Sequence, residues 1–123
     1  MMGTFKVVVR VFNWEEPERS RELEMLVDTG ASRSILPLAL AVELGIRPDR
    51  RRKFLVADGR EVARDLGWAG IEYGGEAVHS LVVIGEVRDP PVLGASTLED
   101  LVLQVDPVRR VLRPAQEYLL AEA

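Results

Sequence analysis

The chain has 123 residues, 47% hydrophobic and 29% charged, a balance that fits one ordinary globular domain over residues 1–123 and excludes a disordered chain. It has no cysteine, which removes disulfides, thiolate zinc sites and a cysteine nucleophile together. The net charge is −4 with acids and bases interspersed, and no apolar run approaches the roughly 20 residues that span a bilayer. The start, Met1-Met2-Gly3-Thr4-Phe5-Lys6, lacks the basic-then-apolar layout of a secretory signal, so the expected compartment is cytoplasmic, with no membrane partner.

Turn signals recur about every ten residues between β-branched runs, the spacing of an all-β domain. Phe5 to Phe12 reads as a strand, Glu15 to Glu18 as a polar turn, and Glu22 to Val27 as a second apolar strand ending at Asp28-Thr29-Gly30. Ser34-Ile35-Leu36 is short and apolar. Pro37 then suits the first position of a helix that runs through Leu40 and Leu44 and stops at Gly45. The basic cluster Arg47, Arg50, Arg51, Arg52 and Lys53 has only Phe54 as an aromatic neighbour; it reads as a solvated connection and not as a nucleic-acid patch.

Lys53 to Ala57 and Glu61 to Leu66 flank Asp58-Gly59, a hairpin signal whose expected turn is type I′. Trp68 to Tyr73 and Ala77 to Ile84 flank Gly74-Gly75, a second hairpin by the same logic. After Val92-Leu93-Gly94, the run Ser96-Thr97-Leu98-Glu99 has the pattern of a capped short helix ending near Leu101. Val102 to Val105 and Val111 to Arg113 form a last pair of strands, and the tail beyond Pro114 reads as a short helix or a frayed end.

The chemistry concentrates at Met25-Leu26-Val27-Asp28-Thr29-Gly30-Ala31-Ser32. A carboxylate placed between an apolar strand and a glycine is costly unless something uses it. On its own the tripeptide reads as an Asx-type turn at a strand end, and only the surrounding pattern reverses that. His79 is the only histidine and reads as a surface or half-buried packing residue, because one histidine builds no typical zinc site; no metal or cofactor is expected. No Gly-x-Ser-x-Gly elbow gives Ser32 or Ser96 a claim as a nucleophile. Trp14, Trp68 and Tyr73 read as core or interface.

The apolar-apolar-Asp28-Thr29-Gly30-Ala31-Ser32 pattern, followed by Ile35-Leu36-Pro37, the Asp58-Gly59 hairpin, Ile71-Glu72-Tyr73-Gly74 and Val92-Leu93-Gly94, is similar in order and spacing to the retropepsin-like (retroviral-type) aspartic proteases. The likeness runs from about Leu23 to Leu112, and the helix after Leu36 resembles the cellular and prokaryotic relatives. It implies an all-β, half-barrel acid-protease fold with one or two short helices, paired as a C2 homodimer. It also implies an aspartic endopeptidase acting on extended polypeptide, with Asp28 from each subunit sharing a proton and holding a water. Thr29 would grip the partner's loop, Gly30 would present its carbonyl to substrate, Ala31 matches the viral enzymes, and Asp58-Gly59 would be the tip of a flap.

No second apolar-apolar-Asp-Thr/Ser-Gly occurs: Asp58-Gly59 and Asp65-Leu66-Gly67 have the wrong spacing or middle residue. One chain thus supplies one aspartate, and a symmetric homodimer supplies two. Viral members commonly carry Asp where Ser32 stands and Arg where Ala95 stands, as an ion pair bracing the loop; both are absent here, and Arg33 is either a substitute or a surface residue. A retropepsin-fold module that dimerises or binds peptide without cutting it is the alternative reading.

Overall fold

β1 (Phe5–Phe12) alternates: Val7, Val9 and Val11 point towards the core while Lys6 and Val8 are exposed, the period-two pattern of a half-buried strand. It runs antiparallel to β2 (Ser20–Val27), with Phe5 opposite Val27 and Phe12 opposite Ser20. This computed structural model describes residues 4–119, and the remaining elements are β3 (Ile35–Leu36), α1 (Leu38–Leu44), β4 (Pro48–Leu55), β5 (Glu61–Tyr73), β6 (Glu76–Ile84), β7 (Val92–Leu93), α2 (Ala95–Asp100), β8 (Leu103–Asp106) and β9 (Val111–Pro114).

Seven strands form one sheet in the order β1-β2-β7-β3-β6-β5-β4, and an additional β1–β5 pairing closes it on itself. The closure is possible because β5 is 13 residues long. Its first half pairs with β4, and its far end reaches β1, where Ile71 lies opposite Val11. The core inside includes Val9, Val11, Met25, Leu36, Ile71 and Leu93, with α1 contributing Leu40 and Leu44. β8 and β9 make a separate two-stranded sheet. Among the described residues no helix is long and apolar enough to cross a membrane.

Several local expectations are corrected. The basic cluster is a strand and not a connection: Pro48–Leu55 pairs along β5 as the outermost strand, exposed over nearly its whole length. Charged side chains on an edge strand discourage further strand addition. The expected break between Leu66 and Trp68 is absent, because Gly67 is buried within β5, opposite both Pro48 and Val82. A Cβ there would come within 2.7 Å of the Arg47 carbonyl, so glycine lets the start of β4 approach.

The Asp58-Gly59 turn is not type I′. Only Gly59 has a positive φ, 88°; the Val56 carbonyl accepts from the Gly59 N–H at 2.9 Å and the Val56 N–H donates to the Arg60 carbonyl at 2.9 Å. That is a three-residue loop with a left-handed glycine last. Gly74 and Gly75, with φ of 61° and 84°, do make the two-residue type I′ turn, with Tyr73 opposite Glu76. Pro37 sits one position before α1, at the N-cap with ψ 145°, while Gly45 ends the helix in the left-handed region as expected. Residues 115–119 form no helix, and residues 120–123 of the expected tail lie outside the described residues.

Ser96 does not cap α2. The N-cap is Gly94 with no side-chain cap bond, and Ser96 lies inside the helix with its Oγ buried and without a hydrogen-bond partner among the described residues. An unsatisfied buried hydroxyl costs stability, whereas removing it costs little. Ser96→Ala is therefore expected to leave stability unchanged or raise it by up to about 1 kcal/mol, measured from the urea unfolding midpoint; a clear loss would show that the hydroxyl is engaged.

Candidate active site

β2, buried only at Met25 and Val27 near its end, delivers Asp28, and the chain then loops through Thr29 to Ser34 before returning as β3. β7 lies between β2 and β3, parallel to the first and antiparallel to the second. The loop thus bridges two strand spacings, about 9–10 Å. Asp28 is half-buried in a cleft that it shares with Val27, Thr29, Leu98 and Val105.

Its backbone N–H donates to the Leu93 carbonyl at 3.1 Å, and Oδ1 accepts from the Gly30 N–H at 2.9 Å. The second bond is the Asx-type turn anticipated from the tripeptide. It occupies one carboxylate oxygen and leaves Oδ2 without a partner among the described residues, where Asp28 forms no ion pair. A Cβ on Gly30 would lie 3.1 Å from Oδ1, so glycine allows the carboxylate to fold against its own loop. Thr29 and Gly30 are exposed beside it, Ala31 is half-buried and Ser32 is exposed.

The loop is held from behind by the second motif. Val92 and Leu93 form buried β7, and Gly94 starts α2 so close to the loop that a Cβ would overlap the Arg33 carbonyl. Two N–H groups of the first turn of α2, which have no helical partner, donate to loop carbonyls: Ala95 to Ala31 at 2.8 Å and Ser96 to Ser32 at 2.9 Å. Beneath them runs a chain of buried hydroxyls. The Gly94 N–H donates to Ser34 Oγ at 3.0 Å, Ser34 Oγ lies 2.6 Å from Thr97 Oγ1, and Thr97 Oγ1 lies 2.8 Å from Ser80 Oγ.

Ser34 and Thr97 are 0% exposed and Ser80 1%. This chain connects the loop, α2 and β6 where no Ser32–Ala95 ion pair is possible. Arg33 is no substitute brace, since among the described residues its side chain makes only one hydrogen bond, a long one from Nη1 to the Leu81 carbonyl at 3.4 Å. Sequence reasoning missed all three hydroxyls. Their one signal was placement, each lying in or beside an apolar run where a polar group needs a partner.

The β4–β5 hairpin overhangs the other side of the loop. Leu55 and Val56 share with Gly30 to Arg33 a cleft of about 300 Å³ floored by Ile35, Phe54, Val62 and Val83. Asp58 and Gly59 lie beyond it on the exposed turn. Asp58 accepts from the Arg60 backbone N–H at 3.0 Å and from Arg60 Nε at 2.7 Å. These bonds, the backbone one first, hold its carboxyl below the usual carboxylate range.

His79 is exposed on β6 and sits between Trp14 and Trp68, with ring centroids at 4.7 and 4.8 Å. The two tryptophans are 42% and 41% exposed and so are not core, while Tyr73 packs against the core. This aromatic group borders neither cleft beside the Asp28 loop. Among the described residues no three histidine or carboxylate side chains converge as a metal site.

Thr97→Val, which removes the central hydroxyl at nearly constant shape, is expected to destabilise the protein by about 1–3 kcal/mol, read from denaturant unfolding; no change would mean that the chain carries no load. For Asp58 the sign follows from the lowered folded-state pKa: the tip contact is fully present above the ordinary carboxylate range and is lost as pH falls through the lowered value. An NMR titration is expected to place the Asp58 midpoint below that of an unfolded aspartate, and Arg60→Ala to raise it; a midpoint unmoved by Arg60→Ala would refute the contact.

Comparison with known proteins adds the family. The model of the family described as "gag-polyprotein putative aspartyl protease" matches residues 19–100, more than half of the chain. No curated protein matches. Among solved structures, EIAV protease complexed with an inhibitor aligns with TM-score 0.60 and 21% identity, covering 79% of this chain and 86% of that one. The simian foamy virus (mac) protease aligns with TM-score 0.55 and 18% identity, covering 79% and 94%. A retropepsin-like aspartic protease from Rickettsia conorii aligns at 0.48 and 22% identity over 82% and 84%. At these identities the structural likeness speaks to fold, and the family match to descent: the chain belongs to the gag-polyprotein aspartyl protease family and has the retropepsin fold.

Proposed function

We propose that the protein is an aspartic endopeptidase whose active site forms between two copies of the chain, each supplying Asp28. The observation that carries this reading is the state of that carboxylate: half-buried at a strand end and, among the described residues, bonded through Oδ1 only to the Gly30 amide, with Oδ2 uncommitted. Family membership supports the reaction class. The chain holds one Asp-Thr-Gly, so a second copy is the economical source of the second acid.

In that arrangement two carboxylates a few ångströms apart cannot both ionise at modest pH, so they hold one proton between them and titrate as a pair. The ionised member takes a proton from water, which attacks the peptide carbonyl. The protonated member stabilises the developing oxyanion, and a proton then passes to the departing amine. Thr29, whose hydroxyl has no bond within the described residues, is placed to bond the partner's loop, and Gly30 to receive the substrate backbone. Leu55 and Val56, with Asp58 and Gly59 at the tip, would close over an extended polypeptide and exclude water. The reading needs neither metal nor cofactor, and it treats residues 1–123 as one domain.

Incubation of the purified protein with an unfolded polypeptide over about pH 4–7 is expected to give cleavage. Asp28→Asn should reduce kcat by roughly 10²–10⁴-fold, the range for loss of a general acid or base. Specific activity should also fall on dilution, as dimers dissociate. Equal cutting by Asp28→Asn, or specific activity that stays constant down to a monomeric state in ultracentrifugation, would sink the proposal. Peptide binding by a dimer that never cuts would identify the protein instead as a non-catalytic module of the same fold.

A further inference from the structure

We propose that Arg33 sets the substrate preference: the cleft beneath the β4–β5 hairpin takes a peptide whose acidic side chain pairs with Arg33 while a neighbouring apolar side chain fills the floor. The inference rests on the reading of this cleft as a peptide-binding site. Arg33 lies at the end of the loop that begins at Asp28 and lines the cleft shared by Gly30, Leu55 and Val56. It is half-buried. Its guanidinium always carries a charge and offers five donors in a fixed fork.

Among the described residues only one of those donors is engaged, over 3.4 Å to the Leu81 carbonyl, and no carboxylate pairs with it. The cleft's other charged side chains are Arg64, which is paired, and Asp89, which is held by its own turn. Arg64 bonds the Ala63 carbonyl at 2.9 Å and Glu86 at 3.2 Å. Asp89 accepts the Glu86 N–H at 2.8 Å through Oδ2, which fixes its carboxylate in the Gly85–Asp89 turn.

Arg33 is thus the cleft's uncommitted cation. A half-buried, under-used guanidinium beside an apolar surface favours a ligand carboxylate, which it binds through two parallel bonds. Phe54, Val56, Val62 and Val83 give the adjoining surface its apolar character. Together these features call for a substrate with Asp or Glu next to an aliphatic or aromatic residue. Arg33 lines the cleft together with Gly30 and is not in the cleft lining around Asp28 itself, so its effect falls on recognition.

The test uses a randomised decapeptide library in two arms. The full-length protein digests it, with products sequenced by mass spectrometry, and immobilised Asp28→Asn protein captures uncut peptides from the same library. Expected in both arms is an enrichment of Glu and Asp over Gln and Asn at one position by about tenfold, shrinking as salt is raised. Arg33→Gln should abolish the preference, and Arg33→Glu should invert it towards Lys and Arg.

Cleavage without acid enrichment, or enrichment unchanged by either variant, overturns the inference and leaves the protease reading intact. If nothing is cut, the protease reading fails and the capture arm alone decides: acidic peptides held by Arg33 and released by Arg33→Gln support the inference, while capture of no peptide, or of peptides without acid preference, overturns it. The salt dependence of the unsubstituted protein needs no variant to fold.

Discussion

Three buried hydroxyls, on Ser34, Thr97 and Ser80, hold the loop that presents Asp28, the helix behind it and strand β6 in one fixed relation. The loop crosses β7 without pairing along it, so its position depends on a few specific bonds. Ser34 takes the Gly94 amide on one side and Thr97 on the other, which locks the end of the loop to the start of α2. The two N–H bonds from Ala95 and Ser96 to Ala31 and Ser32 then fix its middle. Gly94 makes the approach possible, since any side chain there would overlap Arg33.

A hydroxyl chain and an ion pair solve the same mechanical problem with different costs. A partly buried carboxylate–guanidinium pair carries a desolvation penalty that its mutual attraction has to offset, and losing one partner strands a charge. Neutral hydroxyls cost less to bury and tolerate the dry environment when each has a partner. With Ser32 and Ala95 uncharged, the brace in this chain lies inside, at positions where water does not compete. Arg33 takes no part in this brace and lines the cleft with one long bond among the described residues.

Two clefts lie beside the loop. On one side Asp28 meets Leu98 and Val105, a surface left open next to a carboxylate with one uncommitted oxygen. On the other, the β4–β5 hairpin covers Gly30 to Arg33 above an apolar floor. The hairpin can overhang because β5 is long enough to pair with β4 at one end and to close the barrel on β1 at the other. Its tip is held locally by the Asp58–Arg60 contact and needs no help from the cleft.

Much of this was legible in the residue order. A Val- and Phe-rich run marked β1, Asp58-Gly59 and Gly74-Gly75 marked the hairpins, Gly45 marked the end of α1, and Asp28-Thr29-Gly30 and Val92-Leu93-Gly94 marked two segments of the site, because each of these depends on local backbone preference or on a short pattern. The errors fell where distant chain segments decide. Gly67 reads as a break but is a crossing point beneath Arg47; the arginines of β4 read as a connection but are a paired edge; Ser96 reads as a cap but Gly94 takes that place. The sequence by itself determined most of the strands, the places of the turns and the single Asp-Thr-Gly per chain. Only the tertiary structure decided which hydroxyls meet and which arginine stays free, because those pairings join residues up to 63 positions apart that no local rule relates.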